Sequence, residues 1–206
     1  MVVAVVLPWV YSGAVDSRLP LLLCCALACA TTARAANRIP VTNEGGIRDR
    51  WMLADGVTLA APAYPQAFVR RGDEVCVAVG YLVNPDGTTS DYALVKAWSS
   101  AGATSEPAPG YWSAFAEAAA DALKQWRFKP RPEVTAPTKV YTVGTFVFGM
   151  RGLRNDLRQR CSVPDLAARL RELKSGARRN VMLDSLDLTP AAGGYQRDNA
   201  PGGMQR

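Results

Sequence analysis

The chain contains no histidine among its 206 residues. That absence removes the commonest general base and the commonest metal ligand together. No glycine-rich phosphate loop is present, and no serine or cysteine sits in an activated-nucleophile setting. Asp73 and Glu74 are adjacent, so on a strand they would point to opposite faces and could not work as a pair. An enzyme is therefore not expected, and neither a metal nor a cofactor is expected. The most apolar stretch, residues 19–30, falls short of the about 20 residues that a bilayer-spanning helix needs.

What that stretch does have is the grammar of an export signal. Arg18 precedes "LPLLLCCALACA", and Ala33-Arg34-Ala35 then supplies a small-residue cleavage site before Ala36. Residues 1–35 read as a signal peptide, with translation starting near Val15, because Asp16 and Arg18 separate the upstream "MVVAVVLPWV" from the apolar core. The alternatives are an inner-membrane anchor or a lipoprotein cut before Cys29. Cleavage after Ala35 would remove Cys24, Cys25 and Cys29 and leave Cys76 and Cys161. In an oxidising compartment two remaining cysteines suggest one disulfide, the alternative being two unpaired buried thiols.

Residues 36–60 form a polar, irregular N-terminal extension, with a short element expected around 51–53. Pro62 and Pro65 forbid a regular strand in the segment that follows. Next, Val75, Val77, Val79, Tyr81 and Val83 alternate on one face of a β-strand. "NPDG" at 84–87 is a tight turn, with proline pre-set for its start and glycine available for positive φ. Tyr92 and Leu94 fall on one side of the returning arm, Ala93 and Val95 on the other. Residues 111–126 carry Phe115, Ala118, Ala119, Ala122, Leu123 and Trp126 at helical spacing, and 139–149 alternate again as a third strand.

The order β-β-α-β gives an α+β domain over 61–150: a three-stranded antiparallel sheet packed on one long helix, followed by an extra C-terminal helix. "ALKQWRFKPRP" at 122–132 then reads as a helix handing over to a packed turn. Trp126 continues the apolar stripe, Phe128 caps the core, and Arg127 and Lys129 point to water. A nucleic-acid platform would need those aromatics exposed, so no nucleic-acid partner is expected.

Together, Pro62-x-Tyr64-Pro65, the hairpin "VCVAVGYLVNPDGTTSDYALV", "WRFKP" and "VYTVGTFVFG" resemble the C-terminal domain of TonB over about residues 62–149. The resemblance implies a periplasmic protein-binding module. In such modules the last strand borders the sheet and receives an extended segment of an outer-membrane transporter by strand addition. Carried over, the peptide-binding edge is Tyr141, Thr142, Val143, Gly144, Thr145, Phe146, Val147 and Phe148. Pro62, Tyr64 and Pro65 form the docking lead-in, and Tyr81, Trp126, Phe128 and Pro130 form the core signature. A full energy transducer of that family retains an N-terminal membrane helix bearing a functional histidine, followed by a proline-rich spacer. This chain reads instead as a stand-alone periplasmic protein, accessory to TonB-dependent transport. A homodimer through the sheet edge or its outer face is a further alternative.

The outer face of the sheet is too apolar to face water: Cys76, Ala78, Gly80, Leu82, Ala93, Val95, Tyr141, Val143 and Val147. Residues 161–176 supply the expected cover. Ser162 is a candidate N-cap, and Leu166, Leu170 and Leu173 make the apolar stripe. A Cys76–Cys161 disulfide would pin this helix to the sheet. Nine Arg and Lys residues crowd positions 151–179, so 151–180 reads as a basic helical segment, and 181–206 as a disordered tail. The alternative function is accordingly a structural envelope protein whose basic helix meets anionic lipid or an acidic polymer, with no transport role.

Overall fold

The computed structural model describes residues 38–102, 106–149, 155–176 and 181–189. The expected signal peptide lies outside these residues, as do Arg151, Arg154, Arg178, Arg179 and the tail from 190 onward. In chain order the elements are β1 (Ile39–Pro40), β2 (Trp51–Leu53), β3 (Val75–Val83), β4 (Thr89–Ser99), α1 (Tyr111–Leu123), β5 (Phe128–Pro130), β6 (Val140–Phe148), α2 (Asn155–Arg160), α3 (Leu166–Gly176), α4 (Val181–Ser185) and β7 (Leu186–Asp187). Short 3-10 turns occupy Gly46–Asp49 and Gln66–Arg71.

The principal sheet has the order β4-β3-β6, antiparallel throughout. Strand β3 lies in the middle and is buried along its whole length, because both faces of the sheet are covered. Its turn is built as the sequence requires: the Gly87 N–H donates to the Asn84 carbonyl at 2.9 Å, and Gly87 adopts φ 80°. Gly87 also has a tertiary reason to be glycine. The Phe128 N–H donates to its carbonyl at 2.9 Å, and a Cβ there would lie 1.8 Å from the Phe128 carbonyl oxygen. The P-D-G turn and the W-R-F segment, far apart in sequence, thus dock backbone to backbone.

Between Leu94 and Lys96 the pairing with β3 skips a residue, and this bulge reverses the facing of the rest of β4. Tyr92 and Leu94 pack inward, as does Ala97 beyond the bulge, whereas Val95 and Trp98 pack outward.

On the inner face, Val75, Val77, Val79, Tyr81 and Val83 meet α1 through Tyr111, Phe115, Ala119 and Leu123. Phe115 stands edge-on to Phe148 (4.9 Å between ring centroids) and to Tyr64 (5.2 Å). The helix ends at Leu123, earlier than the apolar stripe implied. Two tight backbone bonds follow, Gln125 N–H to Ala122 O (3.1 Å) and Trp126 N–H to Leu123 O (2.9 Å), and turn Trp126 off the helix axis. Phe128 then lies in β5, which pairs antiparallel with β2 through Leu53↔Phe128 and Trp51↔Pro130.

On the outer face, Cys76, Ala78, Leu82, Val95, Tyr141 and Val143 are covered by Leu157, Cys161, Val163, Leu166 and Leu170 of the C-terminal region. A Cys76–Cys161 disulfide, with its Cα atoms 5.9 Å apart, fastens this cover to the central strand. The cap of α3 is Asp165 rather than Ser162, because the Asp165 carboxylate accepts the Ala168 N–H at 2.8 Å. The Leu166 N–H, a second unpaired helix donor, goes to the Asn43 side-chain oxygen at 2.9 Å.

The disordered tail expected from residue 181 does not hold for 181–189. Leu183, Leu186 and Leu188 are buried in the outer cluster, and β7 pairs in parallel with β1. The low apolar content that marks a disordered tail belongs to residues 190–206, whereas Leu183, Leu186 and Leu188 have a sheet face to cover. Gly80 lies beneath Tyr141, where a Cβ would come within 2.4 Å of the phenol oxygen. That oxygen is buried without a hydrogen-bond partner, and burial raises the Tyr141 pKa above its ordinary value.

Candidate binding groove at the β6 edge

In an antiparallel strand the N–H and C=O of one residue point the same way and alternate along the strand. The Thr42 N–H donates to the Tyr141 carbonyl (2.9 Å), and the Thr145 N–H donates to a Glu44 carboxylate oxygen (3.0 Å). Residues 141, 143, 145 and 147 therefore present their backbone groups away from β3. The start of this edge is lined by the chain itself. Val41 bridges Tyr141 in parallel, and the Thr142 hydroxyl donates to the Asn43 carbonyl at 3.2 Å. Beyond Thr145 no strand follows the edge among the described residues.

A groove of about 540 Å³ opens along this second half. One wall is β6 from Val143 to Val147, and the opposite wall is the segment from Leu59 to Pro62. The floor is aromatic: Tyr81, Trp126, Phe128 and Phe146. These rings brace one another, Trp126 standing 6.1 Å from Tyr81, 5.7 Å from Phe146 and 6.3 Å from Phe128. The Trp126 indole N–H donates to the Ala60 carbonyl at 3.0 Å, so the indole is held at one end and faces the groove with its ring. Leu59, 46% exposed, is an apolar side chain at the groove wall that an incoming side chain could cover.

At the other rim the Glu44 carboxylate accepts from the Thr145 hydroxyl (2.8 Å) and from the Arg158 guanidinium. Tyr81, buried beside it, has its pKa raised by desolvation first and by the Glu44 charge second, so it stays a neutral phenol.

The residues expected at the edge divide. Val143 to Val147 line the groove. Tyr141 and Thr142 lie where the chain covers its own edge, and Phe148 is buried against Phe115. Of the lead-in, Pro62 lines the groove. Tyr64 is committed to the inner core, its hydroxyl donating to the Asp73 carbonyl at 3.0 Å, and Pro65 starts the 3-10 turn at Gln66. Of the core signature, Tyr81, Trp126 and Phe128 pack on the inner cluster and also face the groove, whereas Pro130 is paired with Trp51. Glu44, Leu59 and Arg158 were not anticipated. Residue spacing could not reveal them, since Glu44 and Thr145 meet across 101 residues.

The described basic residues of the C-terminal segment each have a partner within the chain, although Arg158, Arg160 and Lys174 stay exposed. Arg160 lies over the Trp98 ring at 4.3 Å, Arg169 donates to the Val95 carbonyl at 3.1 Å, and Arg171 donates to the Leu188 carbonyl. Lys174 pairs with Asp184 at 2.6 Å. Among the described residues no helix is long and apolar enough to cross a membrane, and no cluster of His, Cys, Asp or Glu is placed to hold a metal ion.

No family model matches the chain, and no curated protein matches it. Among solved structures it is similar to the Pseudomonas aeruginosa TonB C-terminal domain, with 19% identity over 50% of this chain and 90% of that one, at a TM-score of 0.36. It is also similar to two structures of the Helicobacter pylori TonB C-terminal domain. Those match at 23% and 24% identity, each over 45% of this chain and over 72% and 84% of theirs, with TM-scores of 0.31 and 0.30.

Proposed function

We propose that the chain is a non-enzymatic, periplasmic TonB-like module that binds an extended segment of an envelope protein along β6, with outer-membrane transporters as the first class of partner. The observation that carries this reading is the groove of about 540 Å³ lying beside the uncovered half of the β6 edge, with an aromatic floor. Backbone groups at 143, 145 and 147 would pair with the incoming strand, and the floor would receive its alternate side chains. Export by a cleavable signal supplies the compartment, and a Cys76–Cys161 disulfide suits an oxidising one.

The structural-envelope reading draws support from the chain's own coverage of the first half of the edge. For its lipid-binding form, the basic side chains among the described residues, Arg158, Arg160, Arg169, Arg171 and Lys174, are already engaged by intramolecular partners.

An amide NMR titration of the full chain with short transporter-derived peptides tests the reading. Shifts confined to residues 143–147 and the Trp126 indole support it. Absence of shifts at millimolar peptide removes it.

A further inference from the structure

We propose that Glu44 is an autoinhibitory latch on the β6 edge; this rests on the strand-addition reading above. Residues 41–43 run along the start of β6 as a strand would, with the Thr42 N–H donating to the Tyr141 carbonyl at 2.9 Å. The backbone then leaves the edge. Gly45 adopts a left-handed conformation (φ 78°), and the Gly46 N–H turns back to the Asn43 carbonyl at 2.9 Å. That turn favours glycine at Gly45 through its positive φ, and a Cβ at Gly46 would require the Thr42 hydroxyl to move.

Where the backbone departs, a side chain continues. The Glu44 carboxylate accepts both the Thr145 N–H (3.0 Å) and the Thr145 hydroxyl (2.8 Å). It thus sits where a paired strand would offer its carbonyl. Arg158 of α2 holds the same carboxylate from the other side. A partner strand laid along 143–147 needs the Thr145 N–H, so it must first displace Glu44.

The latch is releasable. The Glu44 side chain is 30% exposed and its Arg158 partner 56%, so both can rehydrate when they part. The extension that carries Glu44 is therefore a pseudo-ligand covering one half of its own binding edge, and partner affinity reports a competition.

The test compares the full chain with its Glu44→Ala and Glu44→Gln variants. The probe is an N-acetylated, C-amidated heptapeptide of alternating valine and threonine, followed by amide shifts. Glu44→Ala is expected to bind about tenfold more tightly, the size of one charge-assisted hydrogen bond no longer in competition. Glu44→Gln, which keeps an acceptor oxygen but loses the charge facing Arg158, is expected to gain less. Without peptide, the Thr145 amide should exchange with solvent faster in Glu44→Ala, while amides bonded to β3 stay protected.

Unchanged or weaker affinity in Glu44→Ala overturns the latch and leaves the edge reading standing. Unchanged exchange at Thr145 also overturns it. If none of the three proteins binds, the edge reading fails and the latch with it.

Discussion

On one face of β3, Val75, Val77 and Val79 meet a helix that follows the hairpin after a single loop; on the other, Cys76, Ala78 and Leu82 meet segments drawn from both ends of the described chain. The inner face is closed by rings: Phe115 contacts both Tyr111 and Phe148 directly. The outer face is closed by leucines, a disulfide and arginine-to-carbonyl bonds. A helix adjacent in sequence finds its sheet face by local collapse and needs little beyond an apolar stripe. A cover assembled from distant segments orders more chain for each contact, and a cross-link offsets part of that entropy.

The largest expected effect separates the two faces. Replacing both cysteines, Cys76→Ser with Cys161→Ser, opens a loop of 85 residues and is expected to cost roughly 4 kcal/mol in urea unfolding. The loss should be uneven. Hydrogen exchange should rise across α2, α3 and β7 while the β3–β4 hairpin and α1 keep their protection. Equal loss of protection on both faces would mean that the cover and the inner core unfold as one unit, and the contrast would fail.

A smaller effect belongs to the inner side. Gly87→Ala forces a residue with φ 80° to carry a Cβ that meets the Phe128 carbonyl oxygen at 1.8 Å. About 2 kcal/mol of destabilisation is expected, from backbone strain and a displaced β5. Because β5 carries Phe128 into the groove, Trp126 fluorescence should shift as well. Wild-type stability together with an unshifted emission maximum would show that the turn and the W-R-F segment are not coupled.

The same contrast explains which features the sequence revealed. The hairpin, α1 and β6 carry their own periodicity, so they were legible apart from the bulge in β4 and the last turn expected of α1. The outer cover was legible as a need: Cys76, Ala78 and Leu82 could not face water, and Leu166 and Leu170 offered a stripe to meet them. The way the ends were used was not legible. Residues 39–44 have too few apolar positions to show a period, yet Asn43 accepts the Leu166 N–H of α3 and Glu44 completes a strand edge. Such roles belong to single side chains meeting across the whole chain, and no local pattern encodes them. Leu183, Leu186 and Leu188 were hidden for a related reason, since a five-residue helix and a two-residue strand fall below the length at which periodicity can be read.

The smallest expected effect uses a motif that occurs once in each region. In the hairpin turn, Asp86 accepts the Thr88 hydroxyl at 2.7 Å and the Thr88 N–H at 3.0 Å. In the outer cover, Asp187 accepts the Thr189 hydroxyl at 2.7 Å and the Thr189 N–H at 3.1 Å. Both carboxyls are lowered below the usual aspartate value, chiefly by the threonine hydroxyl and then by the backbone donor. A depressed folded-state value means that each contribution is fully present above the unfolded-state pKa, near 4, and is lost as pH falls through the folded one. The stability difference between wild type and Asp86→Asn, or Asp187→Asn, should therefore be constant from neutral pH to about 5 and shrink below about 4. Both groups are solvent-exposed, so the change is small and needs paired urea midpoints at each pH. The two variants should part company in location. Near neutral pH, Asp86→Asn should weaken protection of the β3–β4 hairpin, and Asp187→Asn only that of β7 and its partner β1, with both differences fading in acid. A difference that grows as pH falls would reverse the sign and rule out the hydrogen-bond origin of both shifts.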